Sequence, residues 1–258
     1  MRLDDITPLI LTFNEEPNLA RTLAPLAWAR RIVVVDSGST DGTQEIARAH
    51  PNVELFVRPF TTHAEQWNFG LEQTGITTNW VLSLDADFLV DDAFANELAV
   101  MSPSAEVSGL EASFVYCVAG EPLRSGVYPP VVVLFRHASG RYRQDGHTQR
   151  VQVTGRVLPL TTRIRHDDRK PLRHWIASQV RYMTLEADKL ESADASRLGT
   201  ADRMRRLIVV APMAALVYCL LVRGGVLDGW RGVFYALQRA VAEAILSLTL
   251  LERRLTRR

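Results

Sequence analysis

Carboxylates close three apolar runs in the first third of this chain. Residues 8–13 lead into Asn14-Glu15-Glu16, residues 32–35 into Asp36, and residues 80–84 into Asp85-Ala86-Asp87. Alternation along an extended segment turns Asp85 and Asp87 to the same side, where one can bind a divalent cation and the other can reach sugar hydroxyls or metal-bound water. Mg²⁺ or Mn²⁺ held by a few carboxylates plus substrate phosphate is the usual partner of a nucleoside diphosphate. The turn Asp36-Ser37-Gly38-Ser39-Thr40-Asp41-Gly42-Thr43 adds glycines for tight geometry, hydroxyls to cap a helix and acids for a ribose or base edge. A further mixed cluster, His166-Asp167-Asp168-Arg169-Lys170, stands where the strand-like pattern ends.

Each acid needs an element to deliver it. The apolar runs read as buried strands, and in open α/β sheets the ligand crevice lies outside the carboxyl ends of the strands. Strand and helix patterns alternate over residues 1–101, as a parallel sheet requires: helices are expected from Pro17 through Leu26, over 43–49 and over 64–73, with a further strand at 53–57. Residues 102–170 shift to short strand-like pieces at 109–116, 131–136 and 150–153, which form an acceptor side. Residues 171–258 read as helical, over 175–189, 203–222 and 232–254. The expected organisation is thus an α/β catalytic domain over 1–170, with a Rossmann-like nucleotide half and a mixed-sheet acceptor half, and a helical C-terminal region over 171–258.

The 258 residues suffice for a full core, and 47% apolar with 23% charged residues is ordinary for a folded protein. A net charge of +1 argues against a general nucleic-acid binder. Cys117 and Cys219 imply no disulfide framework, and Met1-Arg2-Leu3-Asp4-Asp5 lacks the zones of a signal peptide, which points to the cytoplasm. From Asp202 onward ten arginines face four acids, and residues 207–222 carry no charge between Arg206 and Arg223. That is short for a spanning helix and suits a monotopic anchor on the inner face of the inner membrane, with arginines on anionic headgroups. A soluble helical cap or a dimer interface would bury the same leucines.

Taken together, Leu11-Thr12-Phe13-Asn14-Glu15-Glu16, the segment from Val33 to Thr43 and Leu82-Ser83-Leu84-Asp85-Ala86-Asp87 resemble the family 2 inverting glycosyltransferases of GT-A fold, in the family's order and spacing. The resemblance implies that Phe13, Glu15 and Asp36 line the nucleoside pocket, that Asp85 contacts the ribose side, and that Asp87 holds the metal on the diphosphate. It makes His166 a further metal ligand, with Arg169 and Lys170 placed to neutralise the diphosphate. The subgroup that builds lipopolysaccharide core is the nearer match, through Tyr128-Pro129-Pro130, Leu134-Phe135-Arg136, Asp145-Gly146-His147, His166 and Gly225-Val226-Leu227-Asp228-Gly229.

An inverting transfer needs a base on the acceptor side. Many members of the subgroup carry a His-Glu pair where this chain has His147-Thr148, so the usual glutamate is absent. Asp145 is the leading candidate in its place, with Glu111 and His147 behind it. The expected activity is metal-dependent hexosyl transfer from a nucleotide sugar, a UDP-hexose foremost, to a glycolipid at the inner-membrane surface. A polyprenyl-phosphate sugar synthase would share the nucleotide half, and a non-catalytic sugar-nucleotide sensor would keep the pocket without the base. A dinucleotide oxidoreductase is disfavoured because no G-x-G-x-x-G follows a strand.

Overall fold

The computed structural model describes residues 1–145, 148–194 and 198–256. Two compact units emerge: residues 1–117, 128–144 and 149–170 form the first, and residues 118–127, 145–148 and 171–258 the second.

In the first unit, β1 (Ile6–Thr12), β2 (Ile32–Asp36), β3 (Val53–Val57) and β4 (Trp80–Asp85) run parallel, joined by α1 (Leu19–Leu23), α2 (Thr43–Ala49) and α3 (His63–Gln73). Burial on both faces explains why these strands read as unbroken apolar runs. Ile6, Ile10, Val34, Leu82 and Leu84 join Leu19 and Leu23 of α1 in one core, while Leu9, Val33, Val35 and Val81 join Trp67 and Leu71 of α3 in another. Successive residues thus alternate between two covered faces, the period of two expected of a strand.

The remaining elements are β5 (Phe88–Leu89), α4 (Asp92–Val100), β6 (Val107–Val118), β8 (Val131–Arg136) and β11 (Arg156–His166), after a short β7 (Glu121–Pro122) and a hairpin of β9 (Gly140–Asp145) and β10 (Thr148–Val153). The sheet order is β3-β2-β1-β4-β8-β6-β11-β5. β8 runs antiparallel to β4 and β6, whereas β11 lies parallel to β6 and antiparallel to β5. The mixed half therefore starts at β8, and β9, β11 and α4 exceed the short pieces expected from the sequence. The first helix is also shorter than expected: it gives way to a 3-10 turn over Ala24–Leu26, because Pro25 has no N–H with which to continue the α-helical ladder.

The second unit is helical: α5 (Leu172–Ser192), α6 (Thr200–Arg205), α7 (Val210–Val217), a π-turn over Tyr218–Val222, a 3-10 turn over Gly225–Asp228, and α8 (Gly229–Thr256). The single helix expected over 203–222 is interrupted at Ile208, whose φ is 65°. A β-branched residue is strained there. Burial offsets the strain: Ile208 is 3% exposed and packs with Met183, Leu190, Leu246 and Leu250, and Ser247 donates its hydroxyl to the Ile208 carbonyl. The tail motif at 225–229 ends in Asp228, whose carboxylate accepts the backbone N–H of Arg124 at 3.2 Å and of Ser125 at 2.9 Å.

Candidate active site

Strand register brings the carboxylates level. Thr12 pairs with Asp36 across β1 and β2, and Leu11 pairs with Asp85 across β1 and β4, so three strand ends finish at one rim of the sheet. Asp36 is fully buried and engaged by its own neighbourhood. Its Oδ2 accepts the Thr12 hydroxyl at 2.8 Å, and its Oδ1 accepts Gly38 N–H at 3.0 Å, Ser39 N–H at 2.8 Å and Gln44 Nε2 at 2.8 Å. The turn at Gly38 has a φ of 87°, which glycine adopts without penalty. Asp36 thereby shapes the loop beside the rim, while Phe13, 45% exposed, projects from the end of β1.

The β1 loop is fastened to the β2 loop. Asn14 donates its N–H to Ser39 Oγ at 2.8 Å and Glu15 donates its own to Thr43 Oγ1 at 2.7 Å. Glu15 is thereby turned inward. It ion-pairs with Lys170, and its Oε2 accepts Asn18 Nδ2 at 2.8 Å. Burial pushes the Glu15 carboxyl up to about 7, with Lys170 opposing the rise and Asp87 adding to it.

Asn18, fully buried, was not singled out from sequence. An asparagine ahead of a helix reads as a cap. Here its side chain caps nothing. Instead Nδ2 also donates to Asp168 Oδ1 at 2.9 Å, and Oδ1 accepts the Arg169 N–H at 2.9 Å. Arg21 reinforces the junction by ion-pairing with buried Asp167, to which Arg169 Nε donates at 2.9 Å. No local pattern announces contacts across about 150 residues.

At the centre, His166 Nε2 faces Asp87 Oδ2 at 3.2 Å. The backbone completes the alignment, since Asp167 donates its N–H to the Asp87 carbonyl at 3.0 Å. Pairing sets His166 opposite Phe88 on β5 and opposite Tyr116 on β6. The imidazole sits among aromatic rings, with centroids 5.2 Å from Phe88, 4.8 Å from Tyr116 and 5.1 Å from Tyr128. Its Nδ1 is buried without a hydrogen-bond partner. Burial opposes a charge on His166, yet the adjacent Asp87 carboxylate outweighs it and raises the imidazole. Burial likewise works against charge on Asp87, but His166 and Lys170 hold its carboxyl below the ordinary range. On Asp85 burial, followed by repulsion from Asp87, outweighs the pull of the same His166 and Lys170 and pushes the carboxyl up to about 6.

Glu15, Asp85, Asp87 and Asp168 thus share one rim with Lys170 and His166, an acidic surplus suited to a cation. Asp87 and His166 present an oxygen and a nitrogen to one another, a donor pair whose chemistry would suit Mn²⁺ or Mg²⁺. Among the described residues no group of three or more His, Cys, Asp or Glu side chains is placed to hold a metal ion by itself.

Asp145, at the end of β9, belongs to the second unit, where it pairs with Lys189 Nζ at 3.2 Å. Glu111 lies within β6, paired with Val132 and Pro159. His147 lies outside the described residues.

Residues 9–100 match the profile of Glycosyl transferase family 2. The lipopolysaccharide core biosynthesis glycosyltransferase LpsC of Rhizobium meliloti (strain 1021) is 28% identical over 223 residues, spanning 81% of this chain and 78% of that protein. Among solved structures, S. aureus TarS 1-349 in complex with UDP aligns with 97% of this chain and 91% of its own, at 14% identity and a TM-score of 0.48. Glucosyl-3-phosphoglycerate synthase from Mycobacterium tuberculosis, in complex with Mn2+, UDP-glucose and phosphoglyceric acid, aligns with 74% of this chain and 81% of its own, at 15% identity and a TM-score of 0.46.

A parallel half whose strands end in carboxylates, continued by a mixed half, is the α/β arrangement expected of the GT-A fold. The match to glycosyl transferase family 2 over residues 9–100 falls on the segment whose motifs led us to expect it.

Proposed function

We propose that this glycosyltransferase is a metal-dependent inverting enzyme that moves a hexose from a nucleoside-diphosphate sugar, a UDP-hexose foremost, to a glycolipid acceptor of lipopolysaccharide core. The Asp87–His166 pair at the carboxyl rim of the parallel strands, beside Asp85 and Lys170, carries this reading. The likeness to an enzyme described as acting in lipopolysaccharide core biosynthesis, extending over 81% of the chain, supports the acceptor class.

In this reading Phe13, Glu15 and Asp36 border the nucleoside, Asp85 orients the ribose, and Asp87 and His166 hold the cation. The bound cation supplies charge neutralisation for the departing diphosphate. Lys170 and Arg169 add fixed positive charge on the same side. Asp145 removes the acceptor hydroxyl's proton as that oxygen bonds to the anomeric carbon and the bond from that carbon to the diphosphate oxygen breaks, inverting the configuration. Lys189 orients the Asp145 carboxylate through their ion pair.

The membrane contact is assigned to the segment around α7. Leu207, Val209, Met213, Val217 and Leu221 are 47–74% exposed, with Arg206 and Arg223 at the two ends, an arrangement suited to an anionic bilayer surface. α8 is also long and apolar enough to cross a membrane by length and composition.

The test is nucleoside diphosphate release by purified protein across a panel of nucleotide sugars, with Mn²⁺, Mg²⁺ or chelator and crude glycolipid acceptor, beside Asp87→Ala. Metal-dependent release from one donor, lost in the variant, is the expected result. Donor binding without release would favour a sugar-nucleotide sensor.

A further inference from the structure

The outward face of α8 carries a repeat that its packing within the second unit does not use. Apolar residues recur at alternating intervals of four and three from Trp230 to Leu255, eight positions without a break. The buried residues of α8, among them Tyr235, Ala242, Leu246 and Leu250, occupy the opposite side of the helix. The repeat therefore points outward: Trp230 is 86% exposed, Leu248 66% and Leu255 71%. Between Arg231 and Glu252 no charged residue of α8 is exposed. The seam is about 39 Å long at 1.5 Å per residue.

A strict interval of 3.5 is the signature of helix-on-helix packing, in which successive knobs keep facing one partner. The positions are also complementary to themselves when the helix is reversed. Laid antiparallel on a second copy, Trp230 falls opposite Leu255, Phe234 opposite Leu251, Leu237 opposite Leu248 and Val241 opposite Ala244. The large indole meets the exposed end of the seam, and the smallest residue meets a β-branched one at the centre. The same alignment sets Arg231 of each copy beside Glu252 of the other, a pair of opposite charges formed twice by two-fold symmetry. A bilayer offers Glu252 no such partner, and a carboxylate flanking a lipid-facing stripe is costly.

We propose that α8 is an interface between two copies of this chain, joined antiparallel through the 230–255 seam about a two-fold axis. This occupant leaves the exposed segment around α7 for the membrane contact and does not depend on the proposed transferase chemistry.

Differently tagged Leu237→Cys and Leu248→Cys chains, co-expressed, purified and mildly oxidised, test the pairing, with wild type as the control for Cys117 and Cys219. The expected result is a disulfide joining the two variants several-fold more abundantly than either variant joins itself. Self-linked products from each variant alone would overturn the antiparallel register. Sedimentation equilibrium gives the second reading. Wild type is expected at twice the chain mass, and Leu248→Glu, with unchanged circular dichroism, at the single-chain mass. A wild-type monomer overturns the proposal. So does a monomer that binds anionic phosphatidylglycerol vesicles and loses that binding in Leu248→Glu, which would give this face to the bilayer.

Discussion

His166 Nε2 and Asp87 Oδ2 lie 3.2 Å apart, brought together by the antiparallel pairing of β11 with β5. Each stabilises the charged form of the other, and both lie at the rim where β4 ends.

A cation held by this pair would replace the imidazole proton, so both side chains should matter to metal affinity. Asp87→Asn is expected to lower turnover by about 10²–10³-fold. His166→Ala is expected to weaken the apparent Mn²⁺ affinity at least about 10-fold in a metal titration of donor turnover. Unchanged metal affinity in His166→Ala would remove the imidazole from the coordination set.

Asp145→Asn should reduce turnover by about 10²–10⁴-fold while nucleotide affinity, measured by calorimetry, stays near wild type. Near-normal turnover would assign Asp145 a structural part beside Lys189, which also lies 3.9 Å from Asp202.

Asn18 serves Glu15, Asp168 and the Arg169 N–H with one amide. Asn18→Leu removes these hydrogen bonds at a buried position and should destabilise the fold by at least about 2 kcal/mol in urea unfolding. Asn18→Asp, though nearly isosteric, replaces an amide donor with a further carboxylate between two others. It should cost as much, and retention of wild-type stability in it would remove the donor role from Asn18.

Glu97 accepts both the N–H and the hydroxyl of Thr161 at 2.7 Å and the N–H of Thr162 at 2.9 Å, tying α4 to β11. Burial opposes its charge, but the donors of Thr162 and Thr161 together hold the carboxyl down to about 2, below the ordinary value of 4.5. A depressed folded-state value stabilises fully above pH 4.5 and loses that stabilisation as pH falls toward 2. Glu97→Gln should therefore lower the Tm at pH 7, and the gap from wild type should narrow through that window. A gap independent of pH would remove the charge from the explanation.

Gly232 begins the buried side of α8, where an added Cβ would stand 1.9 Å from the Gly225 carbonyl oxygen. Alanine gains roughly 1 kcal/mol of helix propensity over glycine. Overpacking against backbone costs about 1–3 kcal/mol and often more, so the clash should win and Gly232→Ala should unfold at lower denaturant. Equal or higher stability would mean that Gly225 can shift.

Much of the nucleotide half was legible because its signals are local. An apolar run bounded by a carboxylate states both a strand and the end at which its acid emerges, since chain direction fixes which end is the carboxyl end. The parallel sheet, the Asp36 turn and the Asp85-Ala86-Asp87 delivery all follow from that. The strand at 156–166 was less legible, because every other residue faces outward and the apolar count stays low. Its last residue, His166, acquires Phe88 and Tyr116 as ring neighbours only through pairing with β5 and β6.

What the amino-acid order determines here is the set of elements and the residues at their ends. The helix break at Ile208 has a local cause in Pro212, which has no N–H to give the Ile208 carbonyl, whereas tertiary structure alone decides that Asn18 meets Asp168 and Arg169 and that Lys170 turns to Glu15. The reason is the same in each case. Helix and strand periodicity are set by neighbours a few residues apart, whereas a buried polar group takes its partner from whatever the fold places beside it. The 3.5-residue repeat on α8 lies between these limits: it can be counted along the chain, but only the packed second unit reveals that it faces outward.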